Sequence, residues 1–310
     1  MCRRFLQWAA SVAALSLCLA SARAEPDLRD TRLLSQPAVS GAHVAFIYAD
    51  DLWIADRDGK NPRRLTSDIG IESNPAFAPD GKTIAFSAQY DGNTDVYVMP
   101  IAGGSPRRLT SHPGPDIVRG WTPDGKAVLF SSPRHVFTGR YNQLFTVDAT
   151  PPRPSGGEGL GVRGLAMHTQ LPIPNGVEAC YSQDGAFIAY TPLSDVTQQW
   201  KHYRGGTHGR ILVYRCKDHR VEQIPQPSGS CNDFDPHWIG DTIYFRSDRG
   251  GEHNLFAFDT RDRSVTQLTH HQDFPVIDVG SGGGKLIYEQ AGYLHLFDVS
   301  SPVSAKGPVA

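Results

Sequence analysis

Residue types capable of chemistry are present in this sequence, so their spacing decides what they can do. Gly159-Leu160-Gly161-Val162-Arg163-Gly164 has the Gly-x-Gly-x-x-Gly pattern of a dinucleotide-phosphate loop. Such a loop needs a strand before it and a helix after it, because the helix N-terminus holds the pyrophosphate. Here Pro151-Pro152-Arg153-Pro154-Ser155 comes first and an extended run follows. The stretch therefore reads as a disordered surface insertion over 149–164 with no nucleotide role. Asp233 and Asp235 flank Phe234, which places both carboxylates on one face of a strand. Paired carboxylates can do acid–base work, but at a strand start they are expected to accept turn N–H groups instead. Asp248-Arg249 reads as a turn or an ion pair between neighbouring units. His270-His271 has no third ligand at helical or strand spacing. No Gly-x-Ser-x-Gly elbow, His-Glu-x-x-His pair or EF-hand loop occurs. No catalytic, cofactor-binding or metal-ligating residue is assigned, and no cofactor is expected. The one stretch with recognition chemistry is Trp200-Lys201-His202-Tyr203-Arg204-Gly205-Gly206. Its aromatic and basic groups suit a peptide carboxylate or backbone; the alternative is a loop packed over one face of the fold.

What must position these residues is a repeat. Short apolar runs end in an aromatic at Phe46, Phe86, Phe130, Tyr190, Phe245 and Tyr288, spaced by 40, 44, 60, 55 and 43 residues. A second run follows each: Asp51–Ile54, Asp95–Val98, Gln143–Thr146, Arg210–Val213, Asn254–Ala257 and Tyr293–Leu296. A third closes five units, at Arg63–Thr66, Arg107–Thr110, Thr169–Pro172, Glu222–Pro225 and Thr266–Thr269. Stretches such as Asn74–Phe77 and Asp235–Trp238 supply a first strand ahead of each aromatic run. Pro79-Asp80-Gly81, Pro123-Asp124-Gly125 and Gln183-Asp184-Gly185 mark the hairpins between them, since Asp-Gly supplies the positive φ of a tight turn. A lone four-stranded sheet cannot bury both faces, whereas sheets stacked around an axis cover one another. The expected fold is all-β, a six-bladed β-propeller of four-stranded antiparallel blades over 25–299, the last blade incomplete. Three readings of the missing strand stand open: the tail 300–310, the segment Thr31–Gln36, or sequence continuing past Ala310. The tail reads as truncated.

Composition bounds the partners. Thirty Lys and Arg against 32 Asp and Glu give a net charge of −2, which offers no electrostatic reason for nucleic acid or an anionic membrane. With 31 glycines and 23 prolines the chain turns often. Arg3 and Arg4, the apolar run Trp8–Ala20 and Ala22-Arg23-Ala24 read as a signal peptide over 1–24, cleaved before Glu25. The run is shorter than the roughly 20 residues a span needs. A periplasmic or secreted protein with no membrane span after cleavage is expected. Cys180, Cys216 and Cys231 then remain, with three possible disulfide pairs or all three as buried thiols.

At 231–260, "CNDFDPHWIGDTIYFRSDRGGEHNLFAFDT", at "WKHYRGG" (200–206), at "LIYEQAGYLHLFDV" and at "PAVSGAHVAFIYADDLWIADRDG" (37–59), the chain resembles the N-terminal six-bladed propeller of tricorn-type serine proteases. The resemblance covers 31–299. The pattern "FAPDGKTIAFS" (77–87) is similar also to TolB-type and dipeptidyl-peptidase propellers. The resemblance implies two propellers, a PDZ-like domain and a C-terminal protease core, with propellers that filter peptides. The family's catalytic serine, histidine and glutamate lie in domains with no counterpart here, so no catalytic residue is carried over. The expected function is a non-catalytic, peptide-binding and substrate-gating domain, with peptides, unfolded segments and a protease core as partners. The alternative is a freestanding periplasmic TolB-like interaction propeller.

Overall fold

The computed structural model describes residues 33–136, 141–150, 167–195 and 200–300. The expected signal peptide over 1–24, the body of the expected 149–164 insertion with its Gly-x-Gly-x-x-Gly stretch, and 301–310 lie outside them. The described residues form six antiparallel sheets in sequence order and no helix. Blade 1 holds β1 (Ser35–Val39), β2 (His43–Tyr48), β3 (Asp51–Asp56) and β4 (Arg63–Arg64). Blade 2 holds β5 (Glu72–Phe77), β6 (Thr83–Ala88), β7 (Asp95–Pro100) and β8 (Arg107–Arg108). Blade 3 holds β9 (Ile117–Trp121), β10 (Ala127–Ser132), β11 (Gln143–Asp148) and β12 (His168–Gln170). Blade 4 holds β13 (Ala179–Tyr181), β14 (Phe187–Tyr190), β15 (Leu212–Arg215) and β16 (Val221–Gln223). Blade 5 holds β17 (Asp233–Ile239), β18 (Thr242–Ser247), β19 (Asn254–Asp259) and β20 (Val265–Gln267). Blade 6 holds β21 (Val276–Gly282), β22 (Lys285–Gln290) and β23 (Tyr293–Asp298), three strands among the described residues.

Two sequence expectations shift. Leu33–Gln36 does not complete blade 6: Ser35 and Gln36 belong to the innermost strand of blade 1, and Ser35 pairs with Ile47. The third strand of blade 4 starts two residues later than the apolar pattern of Arg210–Val213 suggests. The Tyr190–Leu212 and Ile188–Tyr214 pairs set that register and bury Tyr214.

Each blade buries both faces against its neighbours. The apolar side chains fall into six clusters, one per seam: Ile47 and Leu52 meet Phe86 and Met99 between blades 1 and 2, and Leu34 and Phe46 meet Ile287 and Leu294 between blades 1 and 6. This last cluster closes the ring. Closure also needs glycine at Gly280 and Gly282 of β21, because a Cβ there would fall on the carbonyl oxygens of Pro37 and Val39. The innermost strands β1 and β21 approach backbone to backbone.

The Asp-Gly turns form as expected. Gly81 has φ +66° and its N–H donates to Ala78 O at 2.8 Å, while Asp80 accepts the Lys82 N–H at 2.9 Å. The Leu-Thr ends of the outer strands have a matching role. Thr66, Thr110 and Thr269 accept the N–H groups of Leu52, Val96 and Leu255 at 2.9, 3.0 and 2.9 Å. Their hydroxyls donate in turn to Glu72, Asp95 and Asn254 at 2.9, 3.1 and 2.9 Å. Each threonine thus ties an outer strand to its neighbour after the ladder ends.

Candidate functional site in the axial channel

The six innermost strands surround a cavity of about 520 Å³ along the ring axis. Polar side chains reach it through a repeated irregularity. In β1, β5 and β17 the pairing skips Gln36-Pro37, Asn74-Pro75 and Asp235-Pro236. Proline has no N–H to give a ladder, so it fits a bulge on an inner edge strand. Gln36, Asn74 and Asp235 each take φ +51° there. Blade 6 skips Ile277 and Asp278 in the same way. Glu178 occupies the corresponding place ahead of β13, and blade 3 presents Arg119. At these irregular positions each blade puts one polar residue into the channel lining, Gln36, Asn74, Arg119, Glu178, Asp235 and Asp278, with Ser40, Asp80, His237 and Ser281 also on the lining. Amides sit on blades 1 and 2, a guanidinium on blade 3, and carboxylates on blades 4 to 6.

Hydrogen bonds link the ring across its seams. The Gln36 side-chain oxygen accepts the Asn74 N–H at 2.6 Å, and the Glu178 carboxylate accepts the Asp235 N–H at 2.9 Å. Arg246 donates to Asp235 and, at 2.6 Å, to Asp195, with its guanidinium 5.0 Å from the Phe234 ring centre. Burial, and then the neighbouring Asp235, push the Glu178 and Asp278 carboxyls up to about 8. Burial lowers the Arg119 guanidinium against the opposing pull of Glu178, Asp235 and Asp278.

Asp233 and Asp235 do not share a face. The bulge turns Asp235 to the channel, while fully buried Asp233 receives both bonds of Arg249 Nη2 at 2.9 and 2.8 Å. Side chains rather than the expected turn N–H groups meet both carboxylates, Arg249 and Gln226 at Asp233 and Arg246 at Asp235. Asp248 opens a turn, with Gly251 N–H donating to its carbonyl at 3.0 Å, and also pairs across a seam with Arg204 at 2.5 Å.

That pair belongs to the Trp200–Gly206 loop, which bridges blades 4 and 5 and does not line the channel. Lys201 bonds Glu252 at 2.6 Å, and the Tyr203 carbonyl accepts Asn232 Nδ2 at 2.8 Å. His202 sits at φ +59°. Lys201 and Arg204 are thus engaged within the fold. Trp200, stacked on Tyr203 with ring centroids 6.3 Å apart, is 62% exposed. His271 bonds the Tyr288 hydroxyl at 3.2 Å. No group of three His, Cys, Asp or Glu that could hold a metal occurs among the described residues. Cys180, Cys216 and Cys231 are free thiols, and burial raises Cys180 and Cys231 to about 12.

Sequence reasoning places none of the six in a channel: Gln36 and Asn74 enter only as strand residues, Asp235 only as a neighbour of Asp233, and Arg119, Glu178 and Asp278 are not singled out. The available signal was the recurring polar-Pro dipeptide at the head of the inner strands, which marks the channel position in three blades and, by register, Glu178 in a fourth, while Arg119 and Asp278 stand in the proline's place.

A family model described as the tricorn protease N-terminal β-propeller domain matches residues 31–302. Tricorn protease homolog 1 of Streptomyces coelicolor is 30% identical over 263 residues, covering 84% of this chain and 23% of that protein. The tricorn protease of Thermoplasma acidophilum is 23% identical over 267 residues, covering 86% and 24%. The chain thus spans about a quarter of the length of these relatives. Among solved structures, the tricorn protease superposes with TM-score 0.70 at 22% identity, over 88% of this chain and 26% of that one. TolB from Acinetobacter baumannii gives TM-score 0.54 at 20% identity, over 76% and 54%. The fold is shared with both, and the chain belongs to the tricorn protease N-terminal β-propeller family.

Proposed function

We propose that this chain is a non-catalytic, substrate-gating propeller that binds peptide in its axial channel and works with a tricorn-type protease core. The observation that carries this reading is the polar ring on the inner strands. The seams are chiefly apolar, and the polar side chains that face the axis, though some also bond across a seam, keep donors and acceptors that can meet a ligand. Strand-end carbonyls and the amides of Gln36 and Asn74 suit an extended main chain whatever its sequence. The N-terminal signal pattern supports a periplasmic or secreted location, tested by finding a mature protein that begins at Glu25 in the exported fraction.

The channel is tested by fluorescence anisotropy with a labelled, unfolded 20-residue peptide. Asn74→Trp places an indole across the channel and should weaken binding at least about tenfold, the loss of one good contact region. Unchanged affinity in the folded variant removes the channel from the function. The TolB likeness supports a second reading, a freestanding interaction propeller. Under that reading a purified tricorn-type protease core would show no association with this chain by sedimentation.

A further inference from the structure

The channel places a guanidinium and two carboxyl groups on one cavity, with no ion pair between them among the described residues. Arg119 makes one hydrogen bond among the described residues, from Nε to Ser131 Oγ at 3.1 Å, which leaves both Nη groups without a partner. Glu178 accepts from Asp235 N–H and from Thr191 Oγ1 at 3.3 Å, and Asp278 accepts from Val279 N–H at 2.8 Å. Neither carboxylate meets a cation, although Arg246 serves Asp235 beside them. All three side chains line the same 520 Å³ space. Where this chain buries an aspartate fully it supplies a guanidinium, as Arg134 for Asp116 at 2.5 Å and Arg249 for Asp233, whereas the half-buried channel groups keep an open side toward the cavity. A guanidinium and two carboxyl groups with no ionic partner around one cavity suit a ligand that carries both signs, since a bound cation would draw the proton from carboxyls that burial otherwise keeps protonated.

We propose that the channel selects short peptides with free termini, taking the α-carboxylate at Arg119 and the α-ammonium between Glu178 and Asp278. Arg119 offers the planar double donor that a carboxylate fits. The carboxylates on blades 4 and 6 flank Asp235, so an ammonium between them gains acceptors while Asp235 stays with Arg246. The volume falls in the range of about 300–1,000 Å³ typical of small-molecule sites, too small for a folded segment and suited to a few residues. The two amides on the remaining arc, Gln36 and Asn74, are neutral and can meet peptide groups between the ends. This inference deepens the peptide-channel reading above and rests on it.

The test is calorimetric titration of the protein with trialanine, N-acetyl-trialanine, trialanine amide and the doubly blocked form, beside the unfolded 20-residue peptide. Each blocked terminus should weaken binding about tenfold, the scale of one lost charge-assisted hydrogen bond. Arg119→Gln should abolish the difference between acid and amide and keep that between free and acetylated amine. Glu178→Gln with Asp278→Asn should do the reverse, and circular dichroism reports whether each variant folds. The four peptides on the unmodified protein decide the matter even if a variant does not fold. Equal affinity for free and blocked trialanine, or no trialanine binding while the long peptide binds, overturns terminus selection and leaves the peptide channel standing. Binding of none of the peptides overturns both.

Discussion

The carboxylate of Glu178 in blade 4 accepts the backbone N–H of Asp235 in blade 5 at 2.9 Å. Gln36 does the same for Asn74 between blades 1 and 2 at 2.6 Å. The bulge frees the N–H of its first residue from the ladder, and the preceding blade supplies its acceptor. A channel side chain therefore serves the seam as well as the cavity.

This double role predicts that the two substitutions of Glu178 differ. Glu178→Gln keeps an oxygen acceptor and should leave thermal stability nearly unchanged. Glu178→Ala strands the Asp235 N–H, at a cost of about 1–2 kcal/mol. For a domain of this size that lowers Tm by about 2–4 °C, read by differential scanning calorimetry. Equal melting of the two variants would show that the seam bond contributes nothing.

The same ring makes stability depend on pH in a defined direction. Burial and Asp235 raise Asp278 from an ordinary 3.8 to about 8. Between those values the folded chain keeps a proton that the unfolded chain releases. The stabilisation is complete below the unfolded value and is lost as pH rises toward the folded one. His237 is also buried here and its pKa is lowered, so it acts in the opposite direction at acid pH. Comparison with a variant removes that contribution. The Tm difference between the unmodified protein and Asp278→Asn should move against the unmodified protein from pH 5 to pH 8.5. A difference that stays flat would mean that Asp278 titrates normally.

Ring closure makes a sharper demand on two glycines. A methyl at Gly280 or Gly282 meets backbone oxygen of β1 rather than a movable side chain. Blades 6 and 1 would have to separate. Gly280→Ala and Gly282→Ala should each cost about 1–3 kcal/mol, the range for overpacking a tight contact. Gly41→Ala, where the added methyl meets nothing within 4 Å, should stay within about 0.5 kcal/mol. Urea midpoints at constant slope compare the three.

These contrasts show what the sequence makes legible. The blades could be read because each carries several independent signals: an apolar run ending in an aromatic, an Asp-Gly turn and a Leu-Thr end. Each signal acts locally, as the Asp80–Lys82 and Thr66–Leu52 bonds illustrate. Ring closure left only glycines, whose meaning depends on β1, some 240 residues away in the chain. The channel residues were harder still. Asp235 looks like a partner of Asp233 if the strand is regular, and only the φ of +51° separates them. Arg249 over Phe245 and Phe256, bonded to Asp233, has an exact counterpart in kind in Arg134 over Phe130 and Phe145, bonded to Asp116. The Ser-x-Arg spacing at Ser132 and Ser247 marks both, a repeat visible in the sequence once its purpose is known.

The Trp200–Gly206 loop offers a final separation of structure from recognition. Arg204 neutralises Asp248, which is fully buried and also holds Asn232 through bonds of 2.7 and 2.9 Å. Arg204→Ala removes a partner from a buried carboxylate while Asn232 remains. Because Arg204 itself is partly exposed, the cost should lie below the 3–5 kcal/mol of a wholly buried pair, at about 1–2 kcal/mol. Trp200 contributes little to the core and projects into solvent. Trp200→Ala should leave Tm within about 1 °C, the effect of a surface change. If the loop takes part in peptide recognition, the same substitution weakens binding of the 20-residue peptide several-fold, since an exposed indole is a strong contact when covered. Binding that survives Trp200→Ala but fails in Asn74→Trp would assign recognition to the channel alone, with the loop as a clamp between blades 4 and 5.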